Sequence, residues 1–181
     1  MEVYLEERVF MSITMAAAEV YKFECYGCLV GYELENAIVV DNAIPYQTAE
    51  RSFSTVDLKE KQRHIIEDIL GTFPKLNVIG EFHSHPQYGN VKGSTVLSCC
   101  DMRNTNNNNL EIVVAINDKK RTRKWGYNSD LSISGSFAKY HIRMAAYHYD
   151  TCNGNGHKPK KINMWCPMVM GIESWRQKKA I

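Results

Sequence analysis

Leu76-Asn77-Val78-Ile79-Gly80-Glu81-Phe82-His83-Ser84-His85-Pro86 is the run from which the rest of the chain can be read. Its apolar pattern reads as a strand, and on a strand residues i and i+2 face the same way. His83 and His85 therefore project together. Pro86 has no N–H to give to a ladder and marks the strand's end. Downstream, Ser98-Cys99-Cys100-Asp101 offers a carboxylate. Two imidazoles and an aspartate can supply the three protein ligands of a catalytic zinc site, with a fourth position left for water.

The chain around this run has 181 residues, enough for one domain with a sizeable core. Its apolar fraction of 44% is ordinary for a water-soluble fold. A net charge of +2 gives no overall basic excess, so nucleic acid is not an expected partner. The N-terminal MEVYLEERVF carries acids early and lacks a long apolar run, so no signal peptide is expected there. No stretch is apolar over a membrane-spanning length, and the expected location is the cytoplasm. The cysteines, Cys25, Cys28, Cys99, Cys100, Cys152 and Cys166, do not imply disulfides without a secretory context.

Outward from the histidines, Val3, Leu5 and Val9 alternate and predict a first strand within 1–10. Ser12 is an N-cap candidate ahead of Ile13, Met15, Ala16, Ala17, Val20 and Tyr21, a helical face predicted to end near Phe23. Strands are expected over Glu24–Gly31 and Ala37–Ile44, followed by a polar loop at 46–55. A helix is expected at about 56–72, with Val56, Ile65, Ile66, Ile69 and Leu70 on its apolar side. Gln87–Leu97 reads as a loop, Ser98 to about Asn104 as a helix start, and 105–109 as surface. Leu110–Asn117 is the clearest strand, with a hairpin return expected at 122–127. Phe137–Tyr149 suggests one or two strands, 151–161 a loop, and about 172–179 a final helix. The fold class expected is α/β, a mixed β-sheet flanked by helices. One domain, 1–181, is expected, with a motif-bearing core of about 5–150 and a C-terminal extension at 151–181.

Each candidate has a plainer alternative. Ser98-x-x-Asp101 is close to a capping box, in which a serine satisfies the free amides at a helix start. The two roles are compatible, because residues i and i+3 share a helical face. Glu81, two residues before His83, falls on the same strand face and is a candidate general base. Cys25-x-x-Cys28 resembles half a metal motif, but no second pair answers it, and buried thiols are the simpler reading. Cys152, His157 and Cys166 match no strong ligand spacing, and His64, His141 and His148 stand apart from any ligand partner.

Gly80-Glu81-Phe82-His83-Ser84-His85-Pro86 followed by Ser98-x-x-Asp101 resembles the signature of the JAMM (MPN+) metalloproteases. That pattern is an upstream glutamate, then His-x-His, then Ser-x-x-Asp. Glu24, in Glu24-Cys25-Tyr26-Gly27-Cys28-Leu29-Val30-Gly31, stands in the context of the family's glutamate. One departure is the twelve residues between His85 and Ser98, a longer connection than the family's usual one. A longer loop costs little free energy.

The resemblance implies a JAMM/MPN-like, cytidine-deaminase-like core. His83, His85 and Asp101 would bind Zn²⁺, Glu24 would be the general base, and Ser98 would help stabilise the oxyanion. The activity implied is hydrolysis of peptide or isopeptide bonds at the C-terminal tail of a ubiquitin-like or sulfur-carrier protein. Alternatives within the same resemblance are a non-catalytic MPN-type scaffold, or a branch acting in DNA repair or on small amide conjugates.

Overall fold

The histidine-bearing strand forms over Asn77–Pro86 and the strand predicted from Leu110 forms over Leu110–Asp118. They lie side by side and run in the same direction, Gly80 opposite Leu110 and Pro86 opposite Ile116. A Cβ on Gly80 would stand 2.3 Å from the Leu110 carbonyl oxygen, so the approach of the two strands requires a glycine there.

The computed structural model describes residues 1–47, 50–51, 56–57, 60–73, 77–102, 110–149 and 159–169. In order the elements are β1 (Glu2–Leu5), α1 (Glu7–Glu19), β2 (Tyr26–Glu33), β3 (Ala37–Pro45), β4 (Glu50–Arg51), β5 (Val56–Asp57) and α2 (Glu60–Leu70). There follow β6 (Asn77–Pro86), β7 (Leu110–Asp118), β8 (Gly126–Tyr127), β9 (Ile133–Phe137), β10 (Tyr140–Tyr149) and β11 (Pro159–Trp165). The main sheet has the order β11-β1-β3-β2-β6-β7-β10-β9-β8, and β11 also pairs with β10. That extra pairing closes the strands from β11 to β10 into a barrel, leaving β9 and β8 as an extension. The sheet is mixed: β1 is parallel to β3 and β11, β6 is parallel to β7, and β2 is antiparallel to both β3 and β6.

Helices flank this sheet only in part. Val9, Phe10, Ile13, Ala16 and Ala17 of α1 join one buried cluster with Phe82 of β6, Ile112, Val114 and Ile116 of β7, and Ile142 and Met144 of β10. These strand residues occupy alternate positions and so define one face, the inner one. Ile66 and Leu70 of α2 pack instead with Cys28, Val30 and Tyr46 in a separate cluster. No helix is long and apolar enough to cross a membrane among the described residues.

Several expectations shift. Helix α1 begins at Glu7 rather than after Ser12, because Val9 and Phe10 extend the apolar stripe one turn back. Ser12 lies inside the helix, and its Oγ donates to the Ala43 carbonyl at 2.9 Å. Ile65 and Ile69 of α2 are exposed, so the stripe that buries is narrower than expected. Residues 122–127 do not return along β7: only Gly126–Tyr127 is a strand, and it pairs with β9. The partner of β7 is β10, matched to it from Tyr140↔Asp118 to His148↔Leu110. Of the loop expected at 151–161, residues 151–158 lie outside the described residues and 159–161 open the strand Pro159–Trp165, whose Ile162 and Met164 alternate into the core. The expected loop at 105–109, the final helix at 172–179, and Cys152 and His157 lie outside the described residues.

Replacing Gly80 by alanine forces β6 and β7 apart. The expected loss of stability in urea melts is about 1–3 kcal/mol, the cost typical of overpacking a closed contact.

Candidate metal centre

A parallel pair cannot be joined by a tight turn, so the chain leaving Pro86 must travel back to the start of β7 before it can pair. The distance along the strands, from Pro86 to the level of Gly80, is roughly 20 Å at 3.3 Å per residue. The described part of the connection, residues 87–102, crosses the outer sheet face. Leu97 packs there on Val113 and Tyr149, and the Thr95 carbonyl accepts a hydrogen bond from Tyr147 Oη at 2.7 Å. His83 and His85 belong to this face, opposite the one carrying Phe82, and the returning chain brings Asp101 onto them.

The three expected ligands converge. Nε2 of His83 and Nε2 of His85 are 3.0 Å apart. Oδ2 of Asp101 is 3.6 Å from the first and 3.4 Å from the second. Donor atoms on a tetrahedral ion with bonds of about 2.0–2.1 Å stand about 3.3–3.4 Å from one another. The donor set, two imidazole nitrogens and a carboxylate oxygen, therefore fits one small metal ion, and these residues form a group able to hold one.

The outer nitrogens of both rings are anchored. His85 Nδ1 lies 2.7 Å from the Ser94 carbonyl oxygen, which can only accept, so Nδ1 carries the proton. His83 Nδ1 lies 3.0 Å from Oε1 of Glu111, and Tyr149 Oη donates to the other carboxylate oxygen, Oε2, at 2.5 Å. Burial, reinforced by the Glu111 carboxylate, pushes the Tyr149 pKa up and keeps this donor protonated. With both Nδ1 atoms donating outward, both Nε2 atoms are directed at the shared point, the usual arrangement around metal-binding histidines. Sequence reading missed Glu111, Tyr149 and Ser94. Glu111 left one signal, a lone carboxylate set into the apolar run from Leu110 to Ile116.

Asp101 and Ser98 also form the capping arrangement. The Ser98 amide donates to Asp101 Oδ2 at 2.5 Å, and the Asp101 amide donates to Ser98 Oγ at 3.1 Å. A single turn follows, with the Met102 amide donating to the Ser98 carbonyl at 3.2 Å. One carboxylate oxygen thus serves both the cap and the histidines. Oγ of Ser98 accepts here, which leaves its own proton free to donate.

Glu24 precedes β2 and is held in place by the residue between the histidines. The Cys25 amide donates to Ser84 Oγ at 2.8 Å, and the Ser84 amide donates to the Cys25 carbonyl at 3.0 Å. Burial raises the Glu24 pKa, while the fields of His85 and His83 oppose the rise and that of Asp101 adds to it. All three groups that shape its titration, apart from burial, are the candidate ligands. The charge of Glu81, the rival base, is felt instead by the Cys28 thiol on the neighbouring strand.

Charge is concentrated at the centre. Burial by itself would lower the His83 pKa, but the hydrogen bonds its ring donates to the Asp101 and Glu111 carboxylates overcome it and raise it to about 10. Burial likewise opposes ionisation of Asp101, yet its bonds to His83 and His85 hold it well below the usual carboxylate range. In the metal-free centre His83 is therefore a cation between two carboxylates, and a bound metal ion would take over that positive charge.

Among the described residues, the remaining candidates do not join this centre. Cys25 and Cys28 are buried, and burial pushes the Cys28 thiol up, away from reactivity. Cys99 and Cys100 are free and exposed. His64 faces Glu67 on its own helix, Nδ1 to Oε2 at 3.5 Å.

Two outcomes follow from this geometry. Since a proton must leave His83 when a metal ion enters, zinc affinity measured by chelator competition is expected to rise with pH. The slope is about tenfold per unit from neutrality toward pH 10, and a flat profile would exclude the coupling. Glu111→Ala leaves His83 Nδ1 without its acceptor, and zinc affinity is expected to fall about 10–100-fold with the circular dichroism spectrum unchanged.

Comparison with known proteins agrees with this construction. The sequence profile described as JAB1/Mov34/MPN/PAD-1 ubiquitin protease matches residues 1–108, a span that includes Glu24, His83, His85, Ser98 and Asp101. No curated protein matches the sequence. In fold, the chain is similar to a protein of Desulfitobacterium hafniense whose structure was solved in solution. That likeness has a TM-score of 0.59 at 12% identity, covering 90% of this chain and 92% of that one. A profile match over more than half of the chain, together with a His-His-Asp centre where the motif requires it, places this protein in the JAB1/Mov34/MPN/PAD-1 family.

Proposed function

We propose that this protein is a zinc metallopeptidase that hydrolyses peptide or isopeptide bonds at the C-terminal tail of a ubiquitin-like or sulfur-carrier protein. The observation that carries the proposal is the convergence of His83, His85 and Asp101 to mutual donor distances of 3.0–3.6 Å, with Glu24 in their field. Zinc held by these three residues would polarise the scissile carbonyl and lower the pKa of a water at its open position.

The other steps belong to the chain. Glu24, whose pKa burial raises toward neutrality, accepts the proton of the attacking water and delivers it to the leaving amine. Ser98 donates its hydroxyl proton to the carbonyl oxygen as negative charge develops there. Glu111 and Ser94 keep both rings turned toward the centre. Asp101, already ionised and tied to the Ser98 amide, moves little when it takes up its role. A non-catalytic scaffold would have no use for this complete set, so retention of the set favours catalysis.

The test is incubation of zinc-loaded protein with ubiquitin-like and sulfur-carrier proteins bearing C-terminal extensions, followed by intact-mass measurement. Release of the extension is expected. Glu24→Gln is expected to keep one equivalent of zinc and lose turnover, whereas Ser98→Ala is expected to keep zinc and slow turnover by about 10²–10³. Full activity in Glu24→Gln would refute the assignment of the base.

A further inference from the structure

A cleft of about 320 Å³ opens beyond the metal centre, lined by Lys92, Lys120, Arg121, Arg123 and His141 together with Asn117 and Asp118. Its volume is near the lower end for sites that enclose ligands. Strand register ties it to the same outer face. Ala115 is paired with His85, Asn117 is the next residue of β7 on that face, and His141 of β10 is paired with Asn117. The cleft therefore starts one side-chain step past His85, roughly 7 Å along the strands. The connection that covers the face also divides the two sites. Its Gly93 amide donates to Asn117 Oδ1 at 2.8 Å, and the Asn117 side-chain amide donates to the Gly93 carbonyl at 3.2 Å. Lys92 stands on one side of that clamp, and Ser94, which anchors His85, stands on the other.

The charge of the cleft is unbalanced. Lys92, Lys120, Arg121 and Arg123 are exposed and make no ion pair among the described residues. The single carboxylate in the lining, Asp118, lies 3.7 Å from Lys22 Nζ and is partly neutralised from outside. Nδ1 of His141 is buried and has no hydrogen-bond partner among the described residues. Burial and then the positive charges of Arg123, Arg143 and Lys92 push its pKa down, against a hydrogen bond with the Gly135 backbone that raises it. Such a pocket selects negative groups, and guanidinium forks suit carboxylates.

We infer that this cleft binds an acidic segment of the protein substrate, taking Asp or Glu carboxylates next to the residues that enter the metal centre. A peptide is favoured over nucleic acid because the lining carries no phenyl, phenol or indole ring on which bases could stack. The substrate half of the inference rests on the peptidase reading above, whereas the binding half can be measured without turnover.

The experiment is fluorescence anisotropy on the full chain, with and without zinc, using a labelled oligoglutamate and its oligoglutamine counterpart. Oligoglutamate is expected to bind, oligoglutamine not, and the affinity is expected to fall with added salt. Lys120→Glu with Arg121→Glu and Arg123→Glu is expected to weaken binding at least about tenfold at unchanged zinc content. Arg121→Gln with Arg123→Gln gives a milder variant should charge reversal impair folding, and a smaller loss in the same direction is expected. Equal binding of the two peptides, or insensitivity to these substitutions, would overturn the inference. So would tighter binding of inorganic phosphate or a single-stranded oligonucleotide to the same residues. Selective oligoglutamate binding in a protein that cleaves nothing would support the cleft and count against the peptidase; cleavage without that selectivity would do the reverse.

Discussion

The parallel alignment of β6 with β7 is the constraint from which the rest of the structure follows. An antiparallel partner could have followed Pro86 through a short turn, leaving the outer face of the histidines open. A parallel partner obliges the chain to double back across that face, and it is this crossing that carries Asp101 to His83 and His85. Gly80 makes the alignment possible by letting the Leu110 backbone approach within a distance that a Cβ would forbid. The twelve residues between His85 and Ser98 are thus the span of a crossover, with its own packing through Leu97 and its own anchor at Ser94.

Around this crossing the electrostatics are arranged in layers. The innermost layer is three donor atoms facing one point. Behind it, each ring is held by an acceptor at its far nitrogen, a carboxylate for His83 and a backbone carbonyl for His85. Behind Glu111 stands the Tyr149 hydroxyl. Each link holds the next ring in place with its Nδ1 proton facing outward, so the rotamers are fixed and any proton on Nε2 is the one an ion would displace. Glu24 is the exception: it is positioned by backbone hydrogen bonds between Cys25 and Ser84, and its environment is set mainly by burial.

The fold was legible where local pattern and tertiary demand agreed. The strands at Ala37–Pro45, Asn77–Pro86 and Leu110–Asp118 stand where their apolar runs put them. It was less legible where a local signal competed with packing. Ser12 has the chemistry of a cap, yet Val9 and Phe10 must reach the barrel interior, so the helix starts before it. Ile65 and Ile69 continue the stripe of α2 on paper, but the sheet offers a contact only wide enough for Ile66 and Leu70. The strand at Pro159–Trp165 was hidden by its opening Pro159-Lys160-Lys161, although Ile162 and Met164 alternate into the core.

At the centre itself, the amino-acid sequence alone determined the candidate ligands and the phase of the two histidines, because an i, i+2 pair on a strand faces one way whatever surrounds it. The compatibility of Ser98 and Asp101 with a cap was equally local, a matter of three-residue spacing. Tertiary structure decided the rest. The nearness of Glu24 to the candidate ligands, the recruitment of Glu111 and Tyr149, the meeting of Asp101 with the rings, and the cationic cleft one step beyond His85 all depend on which strands become neighbours. Pairing between segments distant along the chain is governed by closure of the whole barrel, and no short stretch of residues contains that information.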